Sequence, residues 1–180
     1  FSTGTYIGKT DFGYFTGEGT FNYKTGTVYN GNWNDNYMEG SGNLNIPSEG
    51  TYVGSFRNSQ KSGSGVFKWE DGSVYDGEWK NDCMNGKGTY NGQDNIVYDG
   101  VFKDNQFQSG VCKFSNDTGD YTATYKDCAV GVLEINFNDG SHYVGASDGK
   151  KLNGNGTMQY TNGDQYTGNY SEDLRNGQGK

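Results

Sequence analysis

Residues 75–90 read YDGEWKNDCMNGKGTY, and this stretch decides the fold. Tyr75, Gly77 and Trp79 stand at every second position, and Gly86, Gly88 and Tyr90 do the same after a polar interval. Side chains alternate across a strand, so a period of two puts each set on one face of its own strand. The polar interval between them serves as a hairpin loop. One unit is therefore a β-hairpin with glycines and rings on a shared face.

The same frame recurs along the chain. Tyr stands at Tyr6, Tyr29, Tyr52, Tyr75, Tyr98, Tyr121, Tyr143 and Tyr166, always 23 residues apart except for one interval of 22. Gly follows two positions later in every unit except the sixth, where Ala123 replaces it. A ring comes two positions after that at Trp33, Phe56, Trp79, Phe102, Tyr125 and Tyr170. A Gly-x-Gly pair closes most units, as at Gly40/Gly42 and Gly63/Gly65. Fixed periodicity on this scale marks tandem repeats. In the third unit Tyr52, Gly54 and Phe56 form the first strand face, and Gly63, Gly65, Phe67 and Trp69 the second. The polar stretch 57–62 is expected to be their loop. Asp71-Gly72, Asp139-Gly140 and Asn162-Gly163 are expected turns from one unit to the next.

Glycine inside a strand costs backbone entropy and packs nothing, so its regular use requires a compensating contact. Rings on the same face supply one by lying flat over exposed backbone, in the hairpin itself or in an adjacent one. The fold class expected is all-β: an elongated, single-layer, twisted antiparallel sheet of tandem hairpins, solenoid-like and stabilised by nearest neighbours. The domain reading is one continuous array over residues 1–180, with the eighth unit cut short at Lys180.

The pattern Tyr-x-Gly-x-Trp followed by Gly-x-Gly-x-Phe/Leu resembles the MORN (membrane occupation and recognition nexus) repeat. Tyr75–Tyr90 and Tyr29–Leu44 carry the resemblance best, and it extends over nearly the whole chain. The resemblance implies a module for assembly. Such repeats occur in junctional membrane proteins, lipid kinases, parasite cytoskeletal rings, ciliary spoke proteins, bacterial proteins and beside a SET methyltransferase domain.

Several units depart from the pattern. Thr10 and Ser147 stand where the first and seventh units should carry a ring. The fifth unit is lengthened by one residue, which puts Gly110 and Phe114 out of step. The sixth is shortened, with Gly131 and Leu133 in place of the Gly-x-Gly pair. A twist, bulge or kink is expected at these two units.

Composition bounds the function. Only 31% of the 180 residues are hydrophobic, yet 16% are aromatic, so the core must be thin and ring-rich. The net charge of −8 disfavours nucleic acid, whose phosphates require Lys and Arg, and also direct binding to an anionic membrane. No apolar run is long enough to span a bilayer. No signal peptide is visible, but the chain starts at Phe1 without Met, which leaves that absence uninformative. Cys83, Cys112 and Cys128 are odd in number and lack C-x-x-C spacing, so they read as free thiols of a reducing compartment.

No constellation for catalysis emerges. His142 is the sole histidine and reads as an exposed turn residue, which leaves a Ser-His-Asp or Cys-His pair without support. Gly8-Lys9-Thr10 lacks the upstream Gly and the helix of a phosphate-binding loop. Residues 116–120 could supply oxygen ligands to calcium, but they read as a solvated turn. No catalytic, metal or cofactor-binding residue is assigned, and no cofactor is expected.

The expected function is a non-catalytic protein–protein interaction and assembly scaffold, a structural or cytoskeleton-associated component. The candidate interaction face is Tyr29, Trp33, Tyr52, Phe56, Phe67, Trp69, Tyr75 and Trp79. These rings are core first, but a single layer leaves nothing to cover them, so part of that surface should be open in a groove. A helix or peptide is the expected partner there, and the open edge strands add a route to self-association. The expected location is cytoplasmic, with cytoskeletal or ciliary association. One alternative is a carbohydrate- or wall-binding module of a bacterial surface, with the rings as stacking platforms. Another is the regulatory region of an enzyme whose catalytic domain lies outside this chain.

Overall fold

In a computed structural model, which describes residues 3–148 and 151–180, sixteen strands pair in sequence order as one antiparallel sheet. The first eight are β1 (Gly4–Asp11), β2 (Tyr14–Tyr23), β3 (Val28–Asn34), β4 (Tyr37–Ile46), β5 (Gly50–Arg57), β6 (Gln60–Trp69), β7 (Val74–Lys80) and β8 (Cys83–Asn91). The rest are β9 (Val97–Lys103), β10 (Gln106–Asn116), β11 (Gly119–Lys126), β12 (Ala129–Phe137), β13 (His142–Ser147), β14 (Leu152–Gln159), β15 (Gln165–Ser171) and β16 (Leu174–Gly179). A three-residue 3-10 turn, Gln93–Asn95, precedes β9. The chain divides into two compact units, residues 1–93 with 102–106, and residues 94–101 with 107–180.

The hairpin loops are shorter than expected. Where residues 57–62 were expected as loop, only Asn58 and Ser59 form the turn, and both take positive φ. Asp35-Asn36, Asn81-Asp82, Asp104-Asn105, Asp127-Cys128 and Glu172-Asp173 repeat that geometry. Two consecutive left-handed residues match the right-handed twist of the flanking strands, and Asn and Asp tolerate that conformation best. The residues removed from the loop reappear as a bulge, because the pairing slips between Gly54 and Phe56 opposite Gly63, whose φ is +73°. The two glycines of each Gly-x-Gly pair therefore differ in role: Gly63 allows the bulge, and Gly65 lies in the ladder.

The ladder glycines meet one another. Gly8, Gly19, Gly31, Gly42, Gly54, Gly65, Gly77 and Gly88 are direct cross-strand partners in turn, one per strand from β1 to β8. Tyr29 lies over Gly31 and Gly42, Tyr52 over Gly54 and Gly65, and Tyr75 over Gly77 and Gly88, so a methyl group on any of these glycines would collide with a phenol ring. Each tyrosine thus covers its own hairpin. Its hydroxyl donates to a backbone carbonyl three residues on, as Tyr29 does to Asn32 at 2.9 Å.

In the second unit the row runs Cys112, Ala123, Leu133, Gly145, Gly156, Gly168 and Gly179. Leu133 occupies the row and Gly131 the bulge position beside Thr124, so the two stand in for the Gly-x-Gly pair as expected, with Leu133 in place of the ladder glycine. The pairing slip in the sixth hairpin falls between Ala123 and Tyr125, at the same place as in the regular hairpins. What changes there is chemistry. Side chains from Cys112, Ala123 and Leu133 fill the space that a ring fills elsewhere, and together with Ile135, Tyr143, Leu152 and Tyr170 they form the core. A larger row residue leaves less room for the next ring, which accounts for Ser147 in the following hairpin.

Neighbouring hairpins are also clasped at their tips. The Phe15 amide donates to Asn36 Oδ1 at 2.8 Å, and the Asn36 amide donates back to the Phe15 carbonyl at 3.3 Å. Met38 with Ser59, Lys61 with Asp82, Met84 with Asn105 and Leu152 with Asp173 repeat the reciprocal pair. The joining turns close as expected: Asp71 Oδ1 accepts from the Ser73 amide at 2.9 Å and from its hydroxyl at 2.6 Å, and Asp139 does the same for Ser141.

Candidate interaction surface

The candidate face lies within the first unit and is brought together as one layer. Tyr29 contacts Trp33 and Phe56 edge-on at 5.0 Å, Tyr52 contacts Phe56 at 5.1 Å and Trp79 at 5.3 Å, and Tyr75 contacts Trp79 at 5.2 Å. Edge-to-face contacts of this kind are the favoured arrangement of aromatic quadrupoles. Each ring four residues after a Tyr reaches back to the preceding hairpin. Trp33 Nε1 donates to the Gly19 carbonyl at 3.1 Å, and Trp79 Nε1 to the Gly65 carbonyl at 2.9 Å.

This layer is closed, where a partly open groove was expected. Tyr29, Tyr52 and Tyr75 are 0% exposed, and Trp33, Phe56, Phe67 and Trp79 are buried as well. The rings cover one another, because every Tyr is flanked by a ring of its own hairpin and a ring of the next. Of the eight candidates only Trp69, at the end of β6, remains half-buried, packed on Phe67 at 4.6 Å and Tyr90 at 5.7 Å.

Burial sets the chemistry of the phenols. It pushes the Tyr52 hydroxyl up to about 12, partly offset by its hydrogen bond to Ser55, and it pushes Tyr75 up to about 12 and Tyr29 higher still. Desolvation also lowers Lys61, whose ammonium lies 4.6 Å from the centre of Trp79 and 4.8 Å from that of Phe67. Lys61 stands opposite Phe56, a place taken by Met38 opposite Trp33 and by Met84 opposite Trp79.

The open concavity of this unit is on the other face. A groove of about 690 Å³ is lined by Glu18, Asn30, Asn32, Ser41, Asn43, Val53 and Ser55, with Gly19, Gly31, Gly42 and Gly54 along it. Asn30 and Asn32 alternate with Tyr29, Gly31 and Trp33, so they point away from the rings. Asn30 Nδ2 donates to Thr20 Oγ1 at 2.6 Å, and Asn32 Nδ2 to the Ser41 carbonyl at 3.2 Å. Sequence reasoning passed over these residues because scattered Asn and Ser read as ordinary solvated strand positions. Only the register, which sets Asn30 opposite Asn43 and Asn43 opposite Val53, makes them one surface.

The regular hairpins coincide with a family match. The MORN repeat model matches residues 29–48, 52–74, 75–96, 143–165 and 166–180, which is more than half of the chain. The chain belongs to the MORN repeat family. The MORN matches skip the fifth and sixth hairpins, where the glycine row becomes Cys112, Ala123 and Leu133. MORN repeats are interaction modules, not catalytic domains. No curated protein matches the chain. Solved structures that match include the SAS-4 (dCPAP) TCP domain of Drosophila melanogaster in complex with a proline-rich motif of Ana2 (dSTIL). It is 13% identical, with 98% of this chain aligned to 88% of that one at a TM-score of 0.36, too loose a likeness to carry any argument.

The other residues with chemical potential serve the fold. His142 opens β13, where a solvated turn residue was expected, and its Nε2 lies 3.0 Å from Glu134 Oε1 on the neighbouring strand. Asn116 Oδ1 accepts from the Thr118 and Gly119 amides and closes the turn that had been considered for calcium. The cysteines are unpaired: Cys112 is buried, Cys83 half-buried and Cys128 exposed.

Proposed function

We propose that this chain is a non-catalytic assembly scaffold that receives a protein partner along the glycine row of its first unit. The observation that carries the reading is the groove of about 690 Å³ on the face away from the rings. The candidate rings act from beneath it. They seal the side of Gly31, Gly42 and Gly54 toward which a Cβ would point, which leaves the opposite face to the polar side chains of the neighbouring positions. The groove walls are amides and hydroxyls, which suit the main-chain groups of an extended peptide or the polar flank of a helix. Trp69 is the one ring of the eight that is only half-buried, and it stands on the ring face, away from the groove. The carbohydrate alternative loses its main support, because the rings it needs as stacking platforms are buried.

The test is affinity capture from an extract of the source organism with three baits whose folding is verified by circular dichroism. The wild type should retain a discrete set of proteins. Asn43→Lys combined with Val53→Glu should lose them, and Trp69→Ala, on the opposite face, should retain them. Partners retained in full by the groove variant would place the docking surface elsewhere, and no partner at all for the wild type would end the scaffold reading.

A further inference from the structure

Among the described residues, seven of the hairpin tips are two-residue turns at positive φ. The first turn residue is Asp35, Asn58, Asn81, Asp104 or Asp127 in five of them, types that tolerate a left-handed backbone, and Glu172 in the last. In the first hairpin it is Phe12, at φ +47° and 96% exposed. A bulky aromatic in that conformation is strained, and here it gains no burial in return. Backbone strain held without a packing benefit points to a role outside the fold.

Phe12 is not isolated. Tyr14 opens β2 and is 52% exposed, and Tyr37 opens β4 and is 54% exposed. The corresponding residues of the next four hairpins are Gln60, Cys83, Gln106 and Ala129. The clasp between Phe15 and Asn36 joins the two tips, and Tyr14 and Tyr37 are each next in sequence to a clasped residue. The charge at these tips differs too. The residue that ends the first strand is Arg57, Lys80, Lys103 or Lys126 in hairpins three to six, but Asp11 and Asn34 in the first two. Asp11 precedes Phe12 and pairs with Tyr14, Asp35 lies two residues before Tyr37, and Lys9 is the base of this end of β1.

We propose that the first two hairpin tips dock a cationic, apolar segment of a partner protein, with Phe12 as the inserted anchor and Tyr14 and Tyr37 as its flanks. The inference rests on the scaffold reading and adds a second surface with a defined partner chemistry. Exposed aromatics are the residue types that dominate binding energy at protein interfaces. The acidic rim selects a basic partner and repels an anionic leaflet. The chain's charge of −8 opposes a second copy of itself.

The probe is a short labelled amphipathic helix of Leu and Lys at physiological salt, with the matching Leu and Glu helix as control. The wild type should bind the first and not the second. Phe12→Asn should weaken binding about tenfold or more, and so should Tyr14→Ser with Tyr37→Ser. Phe12→Asn should also raise the thermal midpoint by about 2–4 °C, because Asn relieves the backbone strain, so lost binding cannot be blamed on unfolding. Unchanged affinity in Phe12→Asn, or no binding to the wild type, overturns the proposal. Phosphatidylcholine vesicles that bind the wild type but not Phe12→Asn would overturn it in favour of a lipid anchor. Extract partners that survive Phe12→Asn but not the groove variant would sink this inference and leave the scaffold standing.

Discussion

The indole N–H of Trp79 donates to the carbonyl of Gly65 at 2.9 Å, and the two residues belong to successive hairpins. Cohesion between repeats thus passes through a ring that leaves its own hairpin, while each Tyr stays over its own glycines. Replacing Trp79 with Phe keeps the ring, as Phe56 does one hairpin earlier, and removes the hydrogen bond. We expect a loss of about 1 kcal/mol in urea unfolding. Trp79→Ala should cost about 3–5 kcal/mol. Equal costs would mean that the hydrogen bond, not ring packing, joins the hairpins.

A methyl group on Gly65 would overlap the Tyr52 ring, whereas one on Gly72 would meet nothing within 4 Å. Gly65→Ala should therefore destabilise by about 1–3 kcal/mol or more through overpacking. Gly72→Ala should lose only the left-handed preference, about 1 kcal/mol. The decisive measurement is a cycle with Tyr52→Ala. Shrinking the ring should cancel much of the Gly65→Ala cost and leave that of Gly72→Ala unchanged. Strict additivity would refute the pairing of ring and glycine.

Lys61 puts a desolvated ammonium where Met38 and Met84 stand in the adjacent hairpins. The rings of Trp79 and Phe67 return part of that cost through cation–π attraction. Lys61→Met should raise stability by on the order of 1 kcal/mol, read from the urea midpoint. A fall would mean that cation–π attraction outweighs desolvation at this site.

Acid should loosen the joining turns. The Ser73 hydroxyl, with the Ser73 amide behind it, holds the Asp71 carboxyl below the usual range, and Ser141 does the same for Asp139. A depressed folded value means the contribution is present above the ordinary carboxylate pKa and is lost as pH falls through the folded one. Asp71→Asn with Asp139→Asn keeps an acceptor without the titration, so its thermal midpoint should fall less below about pH 4. The alkaline limb has the opposite sign. Tyr52 and Tyr75, raised to about 12, contribute below the free phenol value of 10.0 and lose that contribution as pH climbs towards 12. Phenolate absorbance and circular dichroism should change together in that range, and ionisation without unfolding would contradict their burial.

Much of the fold was legible because the local period is two and the long period is constant. Those two facts place Tyr52, Gly54 and Phe56 on one face whatever the tertiary detail. The turn at Asn58-Ser59 was not legible, since a polar run reads as loop whether or not a bulge absorbs part of it. Spacing did place Gly131 and Leu133 at the two positions of the Gly-x-Gly pair, and the register agrees. The candidate site was legible only as a set of rings. Their closure depends on each Tyr being flanked by rings from two hairpins, and spacing within one repeat carries no information about the next.

Sequence alone determined the antiparallel hairpin array and the glycine–aromatic face, because strand alternation and repeat length are properties of the chain itself. Tertiary structure decided which surface is available. Edge-to-face packing between hairpins sealed the aromatic layer, and the register gathered Asn30, Asn43 and Val53 on the opposite, open face. Exposure is set by neighbours distant in sequence, so nothing in the repeat spacing marked Phe12 as an exposed ring at positive φ.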